Sequence, residues 1–244
     1  MQFKPITNHY VMKIKTSFLI LNMAGASLLA ADSGPKDEVT SAAKKLTQKD
    51  NYSWKSTMDF GSFSTSTEGK TDKDGLVALK MSAGDNTREA FLKAGKAAVK
   101  VDEGWQSLSE LESASDNARG RQFLLRRLQN FKSPADEAVN LAGKVKELKK
   151  EGDVYSGDLT EAGAKELLSF GRRRGTDAPE PKNAKGSVKF WVKDGELSKY
   201  ELKQQGTVSF GGDDRDIEGT TTVEIKDVGT TKVEIPEDAK KKLS

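Results

Sequence analysis

Tyr52-Ser-Trp-Lys-Ser-Thr-Met-Asp-Phe60 decides the fold class. Tyr52, Trp54, Met58 and Phe60 alternate with Ser53, Lys55, Thr57 and Asp59. A period of two sends one set to each face of an extended chain, so the segment predicts a strand with one apolar and one wet face. The stretch before it has a different period. Between Asp37 and Gln48, the residues Val39, Ala42, Ala43 and Leu46 share one side of a helix, and Pro35, Asp37 and Glu38 suit its first turn.

Further on, turns at Asp72-Lys-Asp-Gly75 and Ala83-Gly-Asp-Asn86, and Gly95, separate apolar runs at Leu76–Met81, Arg88–Ala94 and Ala97–Val101. Short strands divided by such turns predict an antiparallel meander, which Gly104-Trp105 closes. The middle reads as helical. Ser107–Ser113 suits one turn or two. Ala118–Phe131 places Phe123, Leu124, Leu128 and Phe131 at helical spacing, with Arg119, Arg121, Arg126 and Arg127 elsewhere on the helix. These arginines are either a solvated helix face or a surface for anionic lipid head groups. Ser133-Pro134 is a capped start for a helix carrying Ala138, Leu141, Val145 and Leu148 and ending at Lys149-Lys150.

Val154–Leu159 reads as a strand, and Thr160 caps a helix from Glu161 to Phe170 that Gly171 ends. Arg172–Asn183 has the composition of a loop. Val188, Phe190 and Val192 then alternate with polar neighbours, Asp194-Gly195 turns the chain, and Leu197–Gln205 returns with Tyr200 and Leu202. Val208–Phe210, Thr221–Lys226 and Lys232–Ile235 continue the strand series before a short helix that begins at Pro236. The segregation of strand runs from helices predicts an α+β domain over 32–244, with helices on one face of a large antiparallel sheet.

The first 31 residues read as a secretory signal peptide. Lys13 and Lys15 form a basic start, Phe18–Leu29 is largely apolar, and Ala30 and Ala31 suit cleavage. Either Met1 or Met12 serves as the start. The run is too short for a membrane span, which takes roughly 20 apolar residues. The segment contains Lys4, Lys13, Lys15 and no acid, so it accounts for the whole formal charge of +3. The remainder is neutral and gives no argument for nucleic-acid binding. With no cysteine there is no disulfide and no thiol for lipid attachment. The expected location is therefore the periplasm or outside the cell, without a stable membrane span after cleavage, and the expected state is a monomer.

The only histidine, His9, lies in the segment expected to be removed. Without His or Cys, triad catalysis and His- or Cys-ligated metals are excluded. A carboxylate-dependent hydrolase remains open, but no carboxylate pair stands out. Asp214, Asp216 and Glu218 before Gly219 resemble the first half of a calcium loop, but Ile225 stands where the closing acid belongs. A solvated hairpin is the simpler reading. Neither a catalytic residue, a cofactor nor a metal is expected.

The sequence resembles the periplasmic lipoprotein-carrier (LolA-like) and LppX-like superfamily, closest to its uncharacterised exported members. The resemblance rests on Asn51-Tyr-Ser-Trp54, Gly104-Trp105, Val154–Leu168, Ser187–Leu197 and Val233–Ala239, and covers roughly residues 36 to 244. It implies a curved, half-open antiparallel sheet (an incomplete barrel) with helices over its concave face, and an apolar cavity between them for acyl chains. The lipid-attachment cysteine of anchored members is missing, and the helical middle is longer and richer in charge than a minimal carrier needs. Trp54, Met58, Phe60, Phe190, Tyr200, Leu202 and Val223 are the candidate cavity wall, and filling a dry core is the alternative role for each. The function expected is binding of a lipid, a lipoprotein acyl chain or another hydrophobic ligand; a non-catalytic envelope module with a filled core is the alternative.

Overall fold

A computed structural model describes residues 34–61, 63–102, 104–113, 118–169, 179–210 and 213–244. The segment expected to be a signal peptide, Phe170, Gly171 and most of the Arg172–Asn183 stretch expected to be a loop lie outside the described residues.

The chain enters through α1 (Pro35–Thr47), which buries the expected Val39, Ala42, Ala43 and Leu46. The first meander follows: β1 (Tyr52–Asp59), β2 (Ser64–Thr71), β3 (Val77–Ala83), β4 (Asn86–Lys93), β5 (Lys96–Val101) and β6 (Gly104–Ser107). The helical middle is α2 (Leu108–Ser113), α3 (Ala118–Gln129) and α4 (Pro134–Lys144). Then come β7 (Lys149–Glu151), β8 (Val154–Asp158), α5 (Glu161–Leu168), β9 (Lys182–Lys193), β10 (Glu196–Phe210), β11 (Asp213–Lys226) and α6 (Glu237–Lys242). Among the described residues all strands join one open, unclosed antiparallel sheet of 11 strands in the order β6-β5-β4-β3-β2-β1-β11-β10-β9-β8-β7. Every neighbouring pair is consecutive in the chain except β1 and β11, where Trp54 lies opposite Ile225 and Ser56 opposite Val223.

Local chemistry fixes several boundaries. Ser133 Oγ accepts from the Asp136 N–H at 3.1 Å and caps α4; Thr160 does the same for α5 through Gly163 N–H at 3.0 Å. The tight turn after β9 uses Asp194 and Gly195 at φ of 53° and 74°, the positive values a two-residue hairpin needs. β2 was not legible in the sequence, because Ser64–Thr71 has no apolar residue. Its inward positions include Thr67 and Gly69, and smallness is required there: a Cβ on Gly69 would fall within the Trp54 indole.

Other expectations need correction. The α4 helix stops at Lys144, because Val145 is extended (φ −81°, ψ 141°) and bridges Leu159; Lys149–Glu151 is an edge strand, not a helix end. Lys232–Ile235 is not a strand; Val233 and Ile235 instead pack beside Leu76, Phe91, Ala98 and Ala239. Val208–Phe210 and Asp214–Glu218 belong to the long strands β10 and β11.

The main core lies on one face. α1 packs on β9 and β10, α5 packs on the same two strands, and side chains of α3 and α4 join the same apolar cluster. The outer face is mostly wet, but α6 packs on β5 and β6 there. Ala98 and Phe91 serve this smaller cluster, whereas Val99 and Ala90, one position away, serve the main core. One helix thus lies on the face opposite the others, unlike the one-sided arrangement expected.

The wet part of the outer face has a regular charge pattern. Trp105, Lys100, Glu89, Lys80, Glu68, Lys55, Glu224, Lys199 and Trp191 follow one another across the strands from β6 to β9. Lys55 approaches Glu68 at 3.7 Å, Lys100 approaches Glu89 at 3.5 Å, and Lys199 Nζ stands 4.6 Å from the Trp191 ring centre.

Candidate functional site

The inward face of the sheet collects the expected wall residues. Strand alternation sets Trp54 and Met58 inward from β1, Phe190 from β9, Tyr200 and Leu202 from β10, and Val223 from β11. Pairing then aligns them: Tyr200 lies between Phe190 and Val223, and Leu202 and Met58 both lie opposite Thr221. Phe60 follows the end of β1, and its ring covers Gly219 of β11. The seven residues therefore share one side of one sheet.

Their environments differ. Trp54, Phe190, Tyr200, Leu202 and Val223 are buried in the main core. The Phe190 and Tyr200 rings are 6.3 Å apart, and Trp54 stacks on Phe131 at 6.2 Å. Met58 and Phe60 are half-buried. The inward face is thus packed beneath the helices and partly uncovered where β1 ends.

A polar group sits inside this apolar surface. Tyr200 is fully buried, and its hydroxyl donates to Glu137 Oε2 at 2.7 Å. Glu137 comes from the first turns of α4. Arg127, from the last turn of α3, donates through Nη2 to Thr67 Oγ1 of β2 at 2.7 Å. Burial pushes the Glu137 carboxyl up, against the downward pull of Tyr200, Lys132 and Arg127. Burial also lowers the Arg127 guanidinium, which Glu137 partly offsets. Tyr200 is raised by burial and by the carboxylate beside it. Charged groups in an apolar interior are expensive and often mark functional positions. The sequence held a signal for Glu137, which stands one helical turn before the core residue Leu141 and so interrupts the apolar stripe of α4.

Two clefts lie apart from these residues, and both carry several charged side chains. One, of about 350 Å³, is bounded by Asp50, Asp72, Asp74, Lys232 and Glu234. The other, of about 290 Å³, lies between α1 and the β7–β8 and β9–β10 turns. There Glu38 Oε2 accepts from Tyr155 at 2.5 Å and from Lys150 at 2.6 Å, and the ammonium group holds the Glu38 carboxyl below its usual range. This arrangement ties the start of α1 to β7 and β8. Neither cleft includes a wall residue.

Asp214, Asp216 and Glu218 do not converge. Asp214 pairs with Lys182 at 3.0 Å and Asp216 accepts from Thr207 at 2.7 Å. Among the described residues no cluster of acids could hold a metal ion, and no helix is long and apolar enough to cross a membrane. No protein-family model and no curated relative matches the chain.

Proposed function

We propose that the protein is a non-catalytic binder of a hydrophobic ligand, such as a lipid or a lipoprotein acyl chain, held against the inward face of the sheet. In this reading the sheet is a curved incomplete barrel, the helices close over its concave side, and the chain acts after export. One observation carries the proposal: the wall residues share one sheet face whose cover is complete over Phe190, Tyr200 and Val223 and incomplete at Met58 and Phe60. A ligand entering there would lengthen an existing apolar surface. Each methylene buried contributes about 0.8 kcal/mol, so an acyl chain needs no polar chemistry to be held.

A specific observation favours a second reading. Five of the seven wall residues have the packing of a filled core, and the two clefts lie elsewhere. A filled core suits an envelope module that acts through its surface.

Native mass spectrometry separates the two. Protein stripped of lipid is mixed with a long-chain fatty acid, and a one-to-one complex is expected that weakens when Met58 is replaced by Asp. Protein that remains ligand-free before and after this addition would sink the binding proposal and leave the filled-core reading.

A further inference from the structure

The uncovered strip of the inward face does not end at Met58. Strand pairing continues its row through Thr65 of β2 and Ala83 of β3 to Asn86 of β4, and none of the four is buried. One row deeper, Thr67 and Met81 are buried, and that row runs on to Arg88, which is exposed. Arg88 shares its strand face with Ala90 and Leu92, which both pack in the main core, so its side chain leaves the sheet on the inward side.

Among the described residues, Arg88 is the one charged residue at the inward positions of β1 to β5, and no acid stands at any of them. Its side chain forms no ion pair and no hydrogen bond within the described residues. The other charges of these strands point outward, where Lys55 meets Glu68 and Lys100 meets Glu89. The guanidinium therefore offers all five of its N–H donors at the end of a largely apolar strip. A second guanidinium reaches the same strip, because Arg127 donates to Thr67 Oγ1 at 2.7 Å, but Glu137 partly offsets its charge.

We infer that the ligand is a long-chain fatty acid, with its carboxylate on Arg88 and its tail running past Met81 and Thr65 to Met58 and Phe60. The inference rests on the binding proposal above and specifies the polar end of the ligand. Three strand spacings, about 14 Å, separate Met58 from Arg88, which is within the extended length of such a chain. A planar guanidinium matches a carboxylate through two parallel N–H bonds, so one arginine satisfies this head group. A phosphate monoester has a further oxygen that Arg88 alone leaves to water, and an uncharged head group leaves the cation unpaired. Because Arg88 is exposed, the ion pair adds modest affinity and selects the head group, while the apolar strip holds the tail.

Equilibrium dialysis of the full chain against dodecanoate, dodecanol and dodecyl phosphate, each below its micelle concentration, tests it. Arg88→Gln is expected to weaken dodecanoate binding about fivefold, the upper value for an exposed ion pair, and to leave dodecanol binding unchanged. Arg88→Lys, which keeps the charge, is expected to lose less, and added salt should narrow the gap between the parent and Arg88→Gln. The side chain has no partner to lose, so circular dichroism of both variants should match the parent. Dodecanoate binding unchanged in Arg88→Gln, an equal loss for acid and alcohol, or dodecyl phosphate bound more tightly than dodecanoate overturns the inference. Dodecanol bound without dodecanoate also overturns it and leaves the binding proposal standing. Neither ligand bound sinks both.

Discussion

Glu137 links the chemistry of a single side chain to the stability of the fold. Its carboxyl accepts from the buried Tyr200 hydroxyl and faces Arg127 of α3 and Lys132 of the following loop. Because burial raises its pKa above the ordinary 4.5, the native state holds this proton more tightly than the unfolded chain does. The ionised group therefore lowers stability at neutral pH, and the loss disappears as pH falls through the raised value towards 4.5. The surface carboxyls Glu38 and Glu110 act in the opposite sense. Lys150 lowers the first, and Lys242 with Ser107 brings the second to about 2, so their contributions are lost as pH falls below the usual carboxylate range. Glu137→Gln keeps an acceptor for Tyr200 and removes the charge. Urea unfolding is expected to give a variant more stable than the parent at pH 7.5, with the gap closing by pH 4.5. A variant weakened equally at both values would show that ionised Glu137 is a net support of the core.

At the level of elements, the outer charge row acts on register. A slip of one residue in any strand would send Lys55, Glu68 or Glu224 towards the core and break the alternation of sign on both sides. Lys55→Glu sets three acids side by side across β2, β1 and β11. Like charges directly opposite cost up to about 1 kcal/mol for each pair, so a loss of roughly 1 kcal/mol is expected at low salt, falling as salt is raised. Adding Glu68→Lys restores the 55–68 pair but sets two lysines opposite each other at positions 68 and 80, so no net recovery is expected. Thermal melts at two ionic strengths check this. The same elements explain what could be read from the sequence alone. α1, β1, β3–β5, β9 and the start of β10 carry their periodicity in apolar residues and were legible. β2 was hidden because its inward positions must be small beneath Trp54, and that demand comes from another strand. The end of α4 was hidden because Val145 and Leu148 fit a helical stripe equally well, and only the bridge to Leu159 makes Val145 extended. The wall residues could be assigned to one face by alternation, but the degree to which helices fill the space above them is set by contacts distant in sequence. Arg127 and Thr67 meet for that reason and left no local pattern.

For the whole molecule, the β1–β11 pair is the one ladder between strands far apart in the chain. The other ladders form between consecutive strands and close shorter loops, so they are favoured early in folding, and the seam is favoured late. Val223→Ala in the seam is expected to cost about 2 kcal/mol and to act mainly by speeding unfolding, whereas Leu79→Ala in the first meander should slow folding as well. Stopped-flow folding and unfolding arms measure both; a Val223→Ala effect confined to the folding arm would reverse this order. The strand count has a consequence of its own. Neighbours in the sheet alternate in direction, and 11 is odd, so the two edges, β6 and β7, run the same way. An antiparallel ring requires even parity. No bending of this sheet can join its edges by the ladder used everywhere else within it, and the opening is therefore a matter of arithmetic, indifferent to which side chains line it.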